Sequence, residues 1–387
     1  MDKKIYTTVI AAAMLGGTVT SCGDSDKNDA PDPVDPVVES KNLDYSAANA
    51  NAWHNYTIQV ATLLKDDAAS LYDAWAVAYD GGAPFATTFK RHDNSTYASA
   101  INCIEEILDG CSGIADEVGN AKIGEPYNYY MGGRREEALY AVESWYSWHS
   151  REDYANNIRS IRNSYTCTYG DTGGSHSMSA LVKSIDPDLD ARVTEAIDNA
   201  AEAILAIPAP FRNNINSREA REAMDACAAL EEVIDRDLKA FFNSLEGHDS
   251  ELDAIVADYV DCIILPTYSD LRDRNASLLA AVRDLGDRRS DEAFEAACSA
   301  WLDAREPWEM SEAFLFGPVD ALGLDPNMDS WPLDQDAIVN HLVSGNLGDL
   351  LWNDSDSDGK VESAQNIRGF HTLEFLLFKD GKARTVK

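Results

Sequence analysis

Near the end of this 387-residue chain, His371 and Glu374 occur in the run Gly369-Phe-His-Thr-Leu-Glu374. Three residues apart on a helix, they share a face, with Cβ atoms roughly 5–6 Å from each other. An imidazole beside a carboxylate can ligate a metal, bind an anion, or make a purely structural hydrogen bond. The surrounding residues are apolar in every direction: Ile367, Phe370, Leu373, Phe375, Leu376, Leu377 and Phe378. The helix is therefore expected to be buried all round, and a buried polar pair requires partners. Gly369, lacking a Cβ, lets another backbone or a ligand approach the histidine. The spacing is not that of a zinc-peptidase helix. HExxH and HxxEH both place a second histidine on the same helix, whereas Phe375 follows Glu374 here and no later histidine exists. A catalytic metal would need further ligands and its base from elsewhere.

Other residues could join or rival this pair. Arg305 can pair with a carboxylate, and Glu312, seven residues on, lies on roughly the same helix face if the helix continues. Asp354, Asp356 and Asp358, followed by Gly359, match the start of a calcium loop, with Glu362 at position nine. Position twelve is Gln365 rather than the bidentate glutamate, so a solvated acidic turn competes with a calcium site. Of the cysteines after Cys22, Cys103, Cys111, Cys167, Cys227, Cys262 and Cys298, no two form a short CxxC pair. Cys227, Cys262 and Cys298 fall among apolar helical positions and are expected to be buried free thiols.

The elements that must position these groups read as helices. Leu252, Ile255, Val256, Tyr259, Val260, Ile263 and Ile264 recur at three- and four-residue steps, the period of one helix face. Pro266 should kink or interrupt that helix, which resumes through Leu271, Leu278, Val282 and Leu285. Val193, Ile197, Ala200 and Ile204 form a second stripe, and Ala220 through Phe241 a third. Further helices are expected at about 47–78, 95–117, 133–149, 151–165, 290–305 and 361–378. No convincing period-two segment is present. The fold class is all-α, most simply antiparallel helix bundles. Residues 166–178 read as a loop. Residues 320–362, with ten acids and one lysine, read as a long functional loop anchored by Trp331, Leu333, Ile338 and Leu350.

The amino terminus reads as an address. Lys3 and Lys4 precede an apolar run too short to span a bilayer as a mature helix. The run ends at Val19-Thr20-Ser21-Cys22, which resembles the lipobox of bacterial lipoproteins, with residues 1–21 removed and Cys22 lipidated. Residues 22–44, with seven acids, two lysines and three prolines, have the composition of a disordered tether. The formal net charge is −35, from 67 acidic and 32 basic side chains. That balance excludes a nucleic-acid partner, and it excludes membrane binding through a basic face. A lipid anchor remains as the route to a membrane. The location expected is the outer membrane, on its periplasmic face or at the cell surface.

The segment GFHTLEFLLF, Gly369–Phe378, resembles the GxHxxE segment of the imelysin-like proteins, a family associated with bacterial iron uptake and classified among metallopeptidases. Upstream, Trp301-Leu-Asp-Ala-Arg305-Glu-Pro-Trp308, Glu312, and Phe316-Gly317-Pro318 with Trp331-Pro332 are similar to the first half of that family. Ser147-Trp-His149-Ser-Arg-Glu-Asp153-Tyr-Ala-Asn-Asn157 resembles a polar motif of its second half, with His149 standing where an Asn is usual. The order is reversed from the usual one, which implies a circular permutation: 45–245 corresponds to the second half and 246–387 to the first. Permutation is tolerated where termini lie close together at exposed ends.

The resemblance implies two four-helix-bundle-like domains with a site at their interface. His371, Glu374, Glu312 and Arg305 would come from one half, and Ser147, Asp153 and Asn157 from the other. For those last three, capping and local backbone hydrogen bonds are the competing roles. The function it implies is a non-catalytic envelope lipoprotein that binds iron or an iron-associated small ligand. Zinc and calcium are lesser metal candidates, and an outer-membrane transporter is an expected partner. The alternatives are a zinc metallopeptidase using His371 and Glu374, and an interaction protein with no metal at all.

Overall fold

The computed structural model describes residues 43–350 and 364–386. Cys22, Asp354, Asp356, Asp358 and Glu362 lie outside these, so the lipidation and calcium expectations fall on residues it does not describe. The principal helices are α1 (Ala50–Ala76), α2 (Ala100–Asp116), α3 (Ser150–Thr166), α4 (Pro187–Ala206), α5 (Arg218–Glu232), α6 (Asp249–Tyr259), α7 (Leu265–Arg288), α8 (Asp291–Glu309), α9 (Leu324–Asp329), α10 (Gln335–Ser344) and α11 (Gly369–Leu377). Local chemistry sets several of their starts. Ser217, Ser290, Asp186 and Asp334 each accept a backbone N–H three residues ahead, and Pro187 occupies the first turn of α4. These are N-caps that satisfy donors the helix cannot.

Helices α1, α7, α8 and α11 pack on one another as one group, and α2, α3, α4 and α5 as a second. The described residues nevertheless make one compact unit. Helices α3 and α8 meet where the groups touch, and the 3₁₀ turn Glu312–Phe314 lies against α2 and α3. Trp53, Trp75, Trp301 and Trp308 are fully buried.

All nine residues of α11 are buried, as its apolar surroundings foretold. Side chains from other helices hold its carbonyls and that of Ile367 just before it. Trp53 Nε1 donates to Leu376 O at 2.9 Å, Trp301 Nε1 to Phe370 O at 2.9 Å, and Tyr56 Oη to Ile367 O at 2.7 Å.

Several expectations need correction. Pro266 does not end its helix, but the interruption expected there is present as a π-helical turn, Val260–Ile264, directly before it at the junction of α6 and α7. The helix expected over 133–149 covers only Arg135–Ala141. Residues 142–149 turn back instead, with Ser144 and Trp148 at φ +50° and +64°. The loop over 166–178 contains a small hairpin, β1 (Thr168–Tyr169) with β2 (Thr172–Gly173), and a second follows α11, β3 (Phe378–Lys379) with β4 (Lys382–Ala383). The acid-rich region after 317 holds α9 and α10. Cys262 is half-buried rather than buried, while the other five described cysteines are buried, and none of the six is bridged.

Candidate functional site

Arg305 organises the site. It lies on α8, is fully buried, and is surrounded by acceptors. Its Nη1 pairs with Asp329 Oδ1, its Nη2 lies 2.5 Å from Glu309 Oε1, and its Nε lies 3.9 Å from Asp153 Oδ2. Nη2 also stands 3.4 Å from His371 Nε2. Trp308 Nε1 donates to the other oxygen of Asp329 at 2.8 Å.

His371 is engaged on both nitrogens. Nε2 faces Asp329 Oδ1 at 3.2 Å, and Nδ1 faces Glu374 Oε2 at 3.3 Å. The Trp331 ring meets the imidazole edge-on, centroids 4.9 Å apart. Glu374 is fully buried, and its Oε1 accepts the Ser147 backbone N–H at 2.7 Å and the Ser147 hydroxyl at 2.6 Å. It therefore orients the histidine, the role a carboxylate plays behind a metal-bound imidazole. Gly369 starts this helix at φ +82°, and a Cβ there would lie 2.4 Å from Met328 O. The glycine thus lets the end of α9, and Asp329 with it, come within reach of His371.

From α3, Asn157 Nδ2 donates to Glu309 Oε2 at 2.5 Å, leaving Asn157 Oδ1 buried without a partner. Glu309 Oε1 accepts no hydrogen bond despite the nearby guanidinium. Asp153 accepts from the Ser144 hydroxyl at 2.5 Å and contacts His149 Nδ1 at 2.7 Å. Although burial opposes it, the His149 and Arg305 charges hold the Asp153 carboxyl down at about 2. Burial would lower His149, but Asp153 raises it to about 9.

The structure thus brings together the predicted His371, Glu374, Arg305, Ser147, Asp153 and Asn157. Ser147 and Asn157 make long-range contacts, and the Ser147 hydroxyl also reaches the local Ser144 carbonyl at 3.2 Å. Glu312 is placed differently from expectation: α8 ends at Glu309, so Glu312 opens the 3₁₀ turn and does not continue the Arg305 face. It still reaches the cluster, because ligand oxygens of Glu309, Glu312 and Asp329 all lie within 4.8 Å of one another.

The sequence reasoning missed Glu309, Asp329 and Lys122. Glu309 stands four residues after Arg305, a spacing that was available as a signal. Asp329 carried none beyond lying in an acidic region. Lys122 is buried in the π-helical turn Glu117–Ile123, with Nζ 2.9 Å from Glu143 and 3.4 Å from Glu117. Burial opposes its charge, yet those acids and Glu312 hold its ammonium well above the usual range. Burial also pushes Glu309 up to about 8 against the pull of Arg305, and it drives Glu312 well above the carboxylate range. Although burial pulls the other way, Arg305 and His371 keep Asp329 below that range. A fixed cation, two reluctant carboxyls and one committed carboxylate therefore share a small space.

The family model for imelysin matches residues 30–236 and 264–387. The chain belongs to the imelysin family. Within known imelysins and their relatives, the crystal structure of an imelysin peptidase from Bacteroides ovatus is 54% identical, covering 90% of this chain and 99% of its own with a TM-score of 0.88. It therefore shares this all-α fold. The iron-regulated protein A of Synechococcus elongatus is 31% identical over 124 residues, 32% of this chain. The match spans about a third of that relative's length, 31%.

Proposed function

We propose that this imelysin-family protein is a lipid-tethered envelope protein that binds iron, or a small iron-associated ligand, without catalysis. The observation that carries this reading is the convergence of Glu309, Glu312 and Asp329 beside His371, with Asn157 Oδ1 buried and unpaired next to them. A buried polar atom without a partner has room for one more hydrogen bond or ligand, from a water or an ion. Carboxylates plus one imidazole suit iron by ligand type, and the similarity to an iron-regulated protein supports an iron-linked role. His371 would supply nitrogen once Asp329 turns toward the ion, with Glu374 and Ser147 holding the ring. The lipobox-like Cys22 and the acidic tether support attachment to the outer membrane. An outer-membrane transporter is the partner this location fits.

The donor set does not suit a catalytic zinc. The three converging groups are all carboxylates, and Glu374, the base such an enzyme would need, already accepts two hydrogen bonds from Ser147 and faces His371. Those contacts commit Glu374 to holding the ring rather than to activating a water.

Metal content decides the question. Wild type, Asp329→Asn and His371→Ala would be equilibrated in turn with ferrous iron, ferric iron and zinc, then desalted and measured. Iron retained by wild type and lost by both variants, which stay folded by circular dichroism, is the expected result. Equal metal content in all three would refute the metal site.

A further inference from the structure

A cleft of about 460 Å³ opens beside the β3–β4 hairpin, a volume in the range of small-molecule sites. Tyr45 and Trp148 give it aromatic walls, and Lys379, Asp380, Lys382 and Arg384, in and just after the hairpin, line much of the rest. None of its lining residues belongs to the Arg305 cluster. The local charge runs against that of the chain: residues 379–387 hold four basic side chains and one acid, whereas the whole sequence carries a net −35.

Two of the three cations are already engaged. Asp44 accepts from Lys379 Nζ at 2.9 Å and from Arg384 Nη1 at 3.0 Å, and the buried Arg384 also donates through Nε to Phe375 O at 3.0 Å. Lys382 and Asp380 are exposed, and among the described residues neither side chain makes an ion pair or a hydrogen bond. The Trp148 wall is held in place. This residue sits at φ +64°, a conformation that a bulky side chain keeps only where its surroundings enforce it. Gly381 N–H donates to Tyr146 O at 2.9 Å, and a Cβ on Gly381 would fall 2.5 Å from Trp148 Cε3, so the indole lies directly against the hairpin turn. Trp148 Nε1 is buried without a partner, a donor with room for one more hydrogen bond.

We propose that this cleft binds a small aromatic carboxylate that also carries hydroxyl groups. The ring would lie against Trp148 and Tyr45, the carboxylate would pair with Lys382, and a hydroxyl would donate to Asp380. Each feature disfavours another class of guest. A bare metal cation would meet three basic side chains. An inorganic anion would meet Asp380 as a like charge and leave both aromatic walls uncovered. A purely apolar molecule would leave Lys382 and Asp380 unused. The contact with Lys382 is solvent-exposed and contributes modestly, so burial of the ring supplies the larger share of the affinity. This reading stands apart from the iron proposal and needs no metal at the Arg305 cluster.

The test is a calorimetric titration of the full folded chain with 3,4-dihydroxybenzoate, in buffer stripped of metal ions so that no chelate forms. Saturable binding with a Kd below about 1 mM is expected. Catechol, which lacks the carboxylate, should bind about fivefold more weakly, and acetate, which lacks the ring, more than about tenfold more weakly. Lys382→Glu changes an exposed side chain and should leave the fold intact while weakening the probe about fivefold or more. Asp329→Asn, in the Arg305 cluster, should bind the probe as wild type does. Absence of saturable binding to wild type would overturn the proposal. So would equal affinity in wild type and Lys382→Glu, or loss of binding in Asp329→Asn, which would put the probe at the Arg305 cluster instead.

Discussion

Replacing Arg305 by methionine keeps much of its bulk against the Phe370 ring, whose centroid lies 5.2 Å from the guanidinium carbon, but removes the charge facing Asp329, Glu309 and Asp153. The cost can be reached in two ways. At an effective dielectric near 20, one ion pair at the 3.9 Å separating Arg305 from Asp153 is worth about 4 kcal/mol. The variant's escape is to protonate a carboxyl that the wild type keeps ionised. For an acid with an ordinary pKa near 4, that costs about 1.4 kcal/mol per pH unit, or about 4 kcal/mol at pH 7. The cheaper route wins, so a loss of about 3–5 kcal/mol is expected at neutral pH, as for other broken buried pairs.

The pH dependence follows from the same residues. Asp153 and Asp329 are held below their unfolded values in the wild type, so their stabilisation is full above about pH 4 and is lost as pH falls toward 2. The variant instead folds with a carboxyl held protonated, a cost that shrinks by about 1.4 kcal/mol per pH unit, so the gap between the two proteins should narrow steadily from pH 7 to pH 4. Urea unfolding at pH 7, 5.5 and 4 reads this directly. A gap below about 1 kcal/mol at pH 7, or one that does not change with pH, would refute the reasoning. The same variant separates a cation guest from an anionic one: without the competing guanidinium a metal ion should bind more tightly, whereas a carboxylate-bearing ligand should bind more weakly.

Other positions give independent checks. Gly369→Ala places a Cβ against Met328 O in a left-handed backbone and should cost more than about 3 kcal/mol in urea unfolding. Ser147→Ala removes one of two hydrogen bonds to Glu374 Oε1, so about 1–2 kcal/mol should be lost, with iron retention reduced but not abolished. His54 donates to or accepts from Tyr45 Oη at 2.9 Å, and burial lowers its imidazole to about 4. The unfolded chain therefore binds the extra proton between pH 6.5 and 4, and stability falls as pH drops through that window. His54→Asn should remove about 2–3 kcal/mol of that slope, measured as the difference between melts at pH 7 and pH 4.

The helices were legible because their apolar residues repeat at 3.6, and the burial of α11 followed from the absence of any polar face around His371 and Glu374. Arg305 and His371 were legible as residue types that need partners. Which partners they find was not. Asp329 reaches both only because α9 lies against Gly369, a contact between segments 40 residues apart that no local periodicity encodes. Ser147 reaches Glu374 because residues 142–149 leave the helix their composition favours and turn back with two left-handed residues. Lys122 was hidden for a related reason: a π-helical turn shifts it off the face that regular spacing assigns to it.

That turn has a consequence for comparing relatives. A π-helical segment amounts to a single-residue insertion in an otherwise α-helical rod. Deleting one residue between Glu117 and Ala121 would restore the regular winding and swing Lys122 by roughly 100° around the axis. The ammonium would leave Glu143, and the acids at the site would lose their resident counterion. A family member one residue shorter at this point would then keep the same histidine–glutamate signature around a pocket with Arg305 but one cation fewer, and with a different appetite for cations. Indels in this stretch would therefore sort imelysins by ligand charge where the signature alone would group them together.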